Sequence, residues 1–238
     1  RMSCQEGHLY VAKWLYKIKP TINISIDYEY AFTDSCENGH LDVAKWLYEI
    51  KPTINISIQD ECAFRWSCYY GHLDVVKWLY EIKPTIDISA KCEYAFKSSC
   101  KNGHLDVAKW LLEIKPTINI SKWNEEAFRE SCQNGHLDVA MWLYEIKHTI
   151  DISAQNEYAF RECCRCGHLY VAKWLYKIKS TIDIHADDEY AFRFSCREGH
   201  LDITKWLYEI KPTIDIHADD EFSFRFSCRR GHLDVAKW

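Results

Sequence analysis

Cysteine and histidine are the residues best suited to chemistry here, and both recur in register. Eight of the twelve cysteines form one column: Cys4, Cys36, Cys68, Cys100, Cys132, Cys164, Cys196 and Cys228. A histidine follows each of them four residues later, as in Cys36 and His40. Around Cys164 and His168 the pattern is enriched by Cys163 and Cys166, which raises the question of zinc. A structural zinc needs four ligands converging tetrahedrally, whereas successive helical residues such as Cys163 and Cys164 point about 100° apart. Gly167 also interrupts the helix before His168, so neither metal nor cofactor is expected. A second cluster is the repeated His-Ala-Asp-Asp of residues 185–188 and 217–220, with two imidazoles and four carboxylates. A divalent-ion site is its sharper reading; the plainer one, preferred here, is a pair of solvated connections whose Asp188 and Asp220 cap helices. No glycine-rich phosphate loop, nucleophile elbow or His-Glu-x-x-His motif occurs, and no enzyme is expected.

The elements that position these residues follow from glycine. Gly7, Gly39, Gly71, Gly103, Gly135, Gly167, Gly199 and Gly231 are the only glycines, each precedes His-Leu, and they are spaced by 32 residues. A fixed period of this size marks a tandem array whose units stack on their neighbours. Complete units are placed at 25–56, 57–88, 89–120, 121–152, 153–184 and 185–216, with partial ones at 1–24 and 217–238, all in one continuous array over 1–238. Within 57–88, Val75, Trp78, Leu79 and Ile82 fall at i, i+3, i+4 and i+7, while Asp74, Lys77 and Glu81 lie off that stripe, which predicts an amphipathic helix. Lys83 suits the negative end of its dipole and Pro84 stops it. Upstream, Ala63, Phe64, Ser67 and Cys68 predict a second, closely packed helix. Asp60, Asn124, Asn156, Asp188 and Asp220 are expected to cap its start, a role Tyr28 and Cys92 cannot fill. Gly71 is expected to close it in a left-handed conformation. Between helix pairs, segments such as 52–58 alternate with period two and predict an extended arm. The fold class is therefore all-α, a helix-turn-helix repeat solenoid with extended or hairpin arms.

Composition narrows the function. The 238 residues are 47% hydrophobic and 27% charged, with a net charge of −5. An acidic balance gives no reason to expect nucleic acid, and apolar runs of only a few residues exclude a membrane-spanning helix of about 20. Stacked repeats sit roughly 10 Å apart, beyond the ~4.4–6.8 Å between Cα atoms that a disulfide needs. The cysteine column is thus expected to stay reduced, in an intracellular, cytoplasmic setting. The chain opens at Arg1 within a unit, without a secretory leader, and Trp238 falls inside a helix; both ends are expected to be cut ends.

Residues 39–48, Gly-His-Leu-Asp-Val-Ala-Lys-Trp-Leu-Tyr, followed by Ile54-Asn55, resemble the core of an ankyrin repeat along the whole chain. Ala191-Phe192-Arg193-Phe194-Ser195-Cys196 occupies the place of that family's Pro-Leu-His-x-Ala-Ala, with Tyr190 where threonine begins the motif. The Tyr-Ala-Phe-Arg and Lys-Pro-Thr-Ile variant is similar to ankyrin proteins of giant DNA viruses of amoebae and other protists. The resemblance implies a non-catalytic scaffold that grips protein partners, host proteins if the chain is viral, in a concave groove of arm tips and first helices. It implies no small-molecule substrate. An alternative is the recruiting part of a larger ubiquitin-ligase-linked adaptor; another is a structural role with self-association through uncapped ends.

Because the chain aligns with itself, fixed and varying columns can be separated. The varying ones are the arm tips (Asp27, Gln59, Lys91, Trp123, Gln155, Asp187, Asp219) and two positions ending the first helix, such as Tyr69-Tyr70 and Arg229-Arg230. A third column holds Trp66, Phe194 and Phe226. Trp66, Tyr69 and Tyr70 share a helix face and are candidate anchors for a partner, unless Trp66 merely packs between helices. Trp123 is a second anchor candidate. Phe194 and Phe226 are expected to pack between neighbouring units.

Overall fold

The computed structural model describes residues 2–18 and 25–238. The side chains of Asp27 and Tyr28 lie outside what it describes. All regular structure among the described residues is helical, in two compact units, Arg1–Ile118 and Asn119–Trp238. In the first unit, helices Met2–Gln5, Ser25–Glu37, Ile58–Tyr70 and Ala90–Lys101 each precede a partner, Leu9–Ile18, Leu41–Ile50, Leu73–Ile82 and Leu105–Ile114. The second unit has Lys122–Gln133, Ala154–Arg165, Ala186–Glu198 and Ala218–Arg230, followed by Leu137–Ile146, Leu169–Ile178, Leu201–Ile210 and Leu233–Lys237. Within each unit, consecutive first helices lie side by side and each second helix packs on the first helix of its own pair.

The predicted stripes are the faces that pack. Val75 and Leu79 are fully buried and Trp78 nearly so, as are Ala63, Phe64, Ser67 and Cys68 opposite them. Within each unit, tryptophans at the second helices bridge backwards to the preceding pair, as Trp46, Trp78, Trp110, Trp174, Trp206 and Trp238 do. Trp206 meets Tyr176 edge-on at 6.0 Å between centroids and lies 6.2 Å from the Phe160 ring; Trp78 does the same with Tyr48 and Phe32 at 6.0 Å. Such edge contacts add about 0.5–1.5 kcal/mol each beyond the area they bury. They explain why Trp, Tyr and Phe recur together: the three rings form one joint between neighbours.

The arms carry no paired strand among the described residues. Their alternation appears as burial alone: Ile54 and Ile56 are buried and Asn55 is exposed, held by turns such as Ile54 N–H to Lys51 C=O at 3.1 Å. The start of the first helix also departs from expectation. Asp60 is not a helix cap. Gln59, Asp60 and Glu61 have φ of 51°, 57° and 63°, a left-handed turn that recurs at 91–93, 123–125, 155–157, 187–189 and 219–221. A left-handed L-residue costs about 1–2 kcal/mol unless its side chain is glycine-like or, as with Asn and Asp, bonds locally. That accounts for Asn or Asp at the middle position in all of these copies except Cys92.

Candidate functional site

The left-handed turn and the helix it opens form the face on which the varying residues sit. Its three positions do different things. The first, the predicted arm tip, is exposed in every described copy: Gln59, Lys91, Trp123, Gln155, Asp187 and Asp219. The third is a glutamate driven inward, and Glu61, Glu125, Glu157 and Glu189 are each at least nine-tenths buried. Its carboxylate is held by the residue four places earlier and by the next connection. Ser153 donates to Glu157 Oε1 at 2.5 Å, the Asp183 N–H approaches the same oxygen at 3.3 Å, and the Lys179 ammonium donates to the Ser153 hydroxyl. Lys83 with Ser57, and Lys147 with Ser121, repeat the last contact.

An arginine five residues after the middle position closes the turn from outside. Arg65 donates from Nε to the Asp60 carbonyl at 2.7 Å and from Nη2 to the Gln59 carbonyl at 3.0 Å; Arg129, Arg161 and Arg193 do likewise. These arginines also lie over the ring that opens the next first helix, Arg129 over Tyr158 at 4.7 Å and Arg161 over Tyr190 at 4.8 Å. Arg161 further pairs with Asp187, and Arg193 with Asp219. Two of the predicted partner-binding residues, Asp187 and Asp219, thus already tie one turn to the next.

Two aromatic groups stand out, one in each unit. In the first unit, Trp66 lies 5.2 Å from Tyr69, 6.1 Å from Tyr70 and 6.1 Å from Tyr94 of the following helix, with Tyr69 and Tyr70 4.8 Å apart. The structure brings the three predicted residues together and adds Tyr94, over which the Arg65 guanidinium sits at 5.3 Å. Trp66 and Tyr69 are half-buried and Tyr70 is exposed. Trp66 therefore packs against the next helix and still offers an edge. In the second unit, Tyr190, Phe194, Phe222 and Phe226 form a ladder with successive centroids 4.1, 5.3 and 4.3 Å apart. Phe194 reaches the next copy through Phe222, in keeping with the expected packing between units. Arg197 covers Phe194 at 4.3 Å and Arg229 covers Phe226 at 5.8 Å, while Arg230 pairs with Glu198. Trp123 stands apart at 61% exposure, and Gln155 and Lys91 are also at the surface, Lys91 in an ion pair with Asp60 at 2.8 Å.

The histidine column faces backwards. The His72 ring nitrogen bonds the Glu37 carbonyl, and His200 Nε2 approaches the Arg165 carbonyl at 3.1 Å. The rings of His40, His72, His104, His168, His200 and His232 cover the glycine of the preceding copy. Burial pulls the His72 and His168 pKa values below the usual 6.5, against the opposing pull of their backbone hydrogen bonds. With a depressed pKa in the fold, the unfolded chain takes up the proton first. Stability should be lost as pH falls through 6.5 and on to the lower folded-state values. Thermal melts from pH 7.5 to 5.0 should show this drop, and His72→Gln/His168→Gln should flatten it; an unchanged slope in the double variant would remove histidine as its source.

Most of the cysteines are buried. All twelve are free, and seven of the eight in the column are buried, Cys228 being the exposed one. Burial raises the Cys36 and Cys100 thiols well above their usual range and Cys196 to about 11, which suppresses the nucleophilic thiolate. Among the described residues no group of three or more metal-binding side chains is disposed around a common point. An apolar cavity of about 500 Å³ opens beside Phe192, Ile216, Phe224 and Trp238, on faces that in earlier copies of this unit meet the following helix pair.

Residues 1–92 match a family model for ankyrin repeats, in three copies. No curated protein matches the chain. Ankyrin repeats generally mediate protein–protein interaction and are typically non-catalytic. No helix among the described residues is long and apolar enough to cross a membrane.

Proposed function

We propose that the chain is a non-catalytic scaffold that binds protein partners on the face made by its left-handed turns and first helices. The observation that carries this reading is a division within one repeat. Phe64, Leu79 and their equivalents in the inner copies are buried and do not vary, whereas the turn tips are exposed, the helix ends exposed or half-buried, and both change chemistry from copy to copy. Fixed residues hold the units together; variable ones give each unit its own recognition surface. Trp66 with its tyrosines, and Trp123, are the anchors, because large rings that are partly exposed on a rigid helix release the most solvent for the least loss of side-chain freedom. Twelve free thiols suit a reducing, intracellular compartment.

The test is affinity capture with quantitative mass spectrometry on the wild type, Trp66→Ala/Tyr69→Ala and Trp123→Ala, with helical circular dichroism as the control for folding. Loss of an anchor of this kind should weaken a bound partner by about 2 kcal/mol, roughly thirtyfold. Partner lists that stay identical in both variants would sink the assignment.

A further inference from the structure

One of the varying columns at the ends of the first helices changes character within the second unit. It is arginine in three consecutive copies, Arg165, Arg197 and Arg229, where earlier copies hold Glu37, Tyr69, Lys101 and Gln133. Arg165 and Arg197 are half-buried and Arg229 is exposed, beside the half-buried rings of Phe194 and Phe226. The Arg197 guanidinium lies 4.3 Å from the Phe194 centroid, and that of Arg229 5.8 Å from the Phe226 centroid. A guanidinium laid over a ring still presents N–H donors at its edge. The result is a strip in which cations and apolar rings alternate along the stack.

A carboxylate of the chain itself already shows what this strip holds. Glu198 Oε1 accepts from Arg197 Nε at 2.8 Å and lies 2.6 Å from its Nη2, while Oε2 accepts from Arg230. Burial would raise the Glu198 pKa, yet Arg197, Arg230 and Arg165 together hold it below its ordinary value. Donors remain beyond what Glu198 takes up. Arg229 has no carboxylate partner among the described residues, and Arg165 directs both Nε and Nη2 at the single oxygen Oε2 of Glu162. Spacing then selects the shape of an occupant. First helices packed side by side stand about 10 Å apart, and each column recurs at that interval. A β-strand returns a side chain to the same side every two residues, ~7 Å, whereas a polyproline II segment does so every three, ~9 Å. The second matches the strip. At the opposite ends of the same helices Asp188 and Asp220 are exposed, which disfavours the polyanionic backbone of a nucleic acid over a protein segment.

We infer that the strip of Arg165, Arg197 and Arg229 binds an acidic segment of a protein partner in the polyproline II conformation. Its carboxylates, three residues apart, meet successive arginines through charge-assisted hydrogen bonds, and its apolar side chains lie on Phe194 and Phe226. The inference rests on the scaffold reading and gives the partner chemistry of the second unit, where that reading alone names no chemistry.

The experiment titrates fluorescein-labelled peptides with the whole chain and reads fluorescence anisotropy. The probe is a peptide of four Glu-Pro-Leu triplets; its controls are the same peptide with glutamine for glutamate, one of equal composition with all the glutamates contiguous, and an oligouridine RNA. Saturable binding is expected for the triplet probe, about tenfold or more tighter than for any control, and weakened by added sodium chloride. Arg197→Gln/Arg229→Gln should lower that affinity about tenfold with unchanged far-UV circular dichroism, and Arg197→Lys/Arg229→Lys should lose less. Lys173→Gln/Lys205→Gln, which removes the same charge from exposed positions of the second helices, should leave it as it was. Equal binding of the triplet and contiguous peptides, tighter binding of the RNA, or equal losses in the arginine and lysine variants would each overturn the proposal. If the triplet probe fails to bind while a captured partner still depends on Trp66 or Trp123, the scaffold reading stands and this one falls.

Discussion

Gly199→Ala is expected to destabilise the second unit by about 2–5 kcal/mol, and Gly231→Ala by only about 1–2 kcal/mol, although both glycines have nearly the same backbone conformation. Their φ values are 85° and 80°, so an alanine suffers the left-handed penalty equally at both. They differ in what lies above them. A Cβ on Gly199 would come within 2.5 Å of Nδ1 and 2.7 Å of Cε1 of His232, whereas one on Gly231 would meet nothing within 4 Å. The histidine cannot simply swing away, because its ring is the packing surface between copies; equivalent overlaps occur between Gly39 and His72 and between Gly135 and His168. Urea denaturation midpoints for the two variants and for Gly199→Ala/His232→Ala give the answer. The double variant should recover part of the loss that Gly199→Ala alone suffers. Equal midpoints for Gly199→Ala and Gly231→Ala would mean that the glycine is needed only for its conformational freedom and that the histidine contact carries nothing.

Phe160→Ala should cost about 3–5 kcal/mol. The ring is completely buried and meets Trp206 of the next copy, so its removal leaves a void at the joint where two helix pairs share their core. In a tandem array stability depends on each nearest-neighbour interface, and a weakened joint lowers the cooperativity of the whole unit as well as its midpoint. Phe194→Ala, which truncates a half-buried ring of the surface ladder, should cost substantially less. A Phe160→Ala variant within about 1 kcal/mol of the wild type would show that the joint is not where the stability resides.

Much of this was legible from residue types. The i, i+3, i+4 stripe Val75, Trp78, Leu79 and the small-residue face Ala63, Ser67, Cys68 located both helices and their buried sides, because helical geometry maps spacing directly onto a face. Gly71 closes its helix in the left-handed conformation that its place after the small-residue face predicts. Asp60 and its counterparts sit in a left-handed turn instead of the predicted cap. Asn and Asp suit a helix cap and a left-handed turn for the same reason, a short polar side chain, and spacing cannot distinguish the two. The arginine of Tyr-Ala-Phe-Arg was visible as a periodic residue at 65, 129, 161, 193 and 225. Its role in holding the turn was not, because its partners are backbone carbonyls, which every residue type possesses. Tyr94 escaped notice at the Trp66 cluster because it lies 28 residues away on the next helix. The arm-tip aspartates Asp187 and Asp219 looked like free recognition groups until Arg161 and Arg193 proved to reach them from the copy before.

The amino-acid order by itself determined the period, the two helices of each copy, the faces they bury and which positions vary. The helices and their buried faces depend on neighbours within about one or two helical turns, while the period and the varying positions emerge when the chain is aligned with itself. Tertiary structure alone decided that histidines such as His200 cover the preceding glycine and reach back to a carbonyl, that the next connection closes over Glu157 and Glu189, and that Arg161 and Arg193 reach Asp187 and Asp219. Those contacts join atoms 26 to 35 residues apart, where the stacking distance between copies sets who meets whom and a local pattern of residue types carries no record of it.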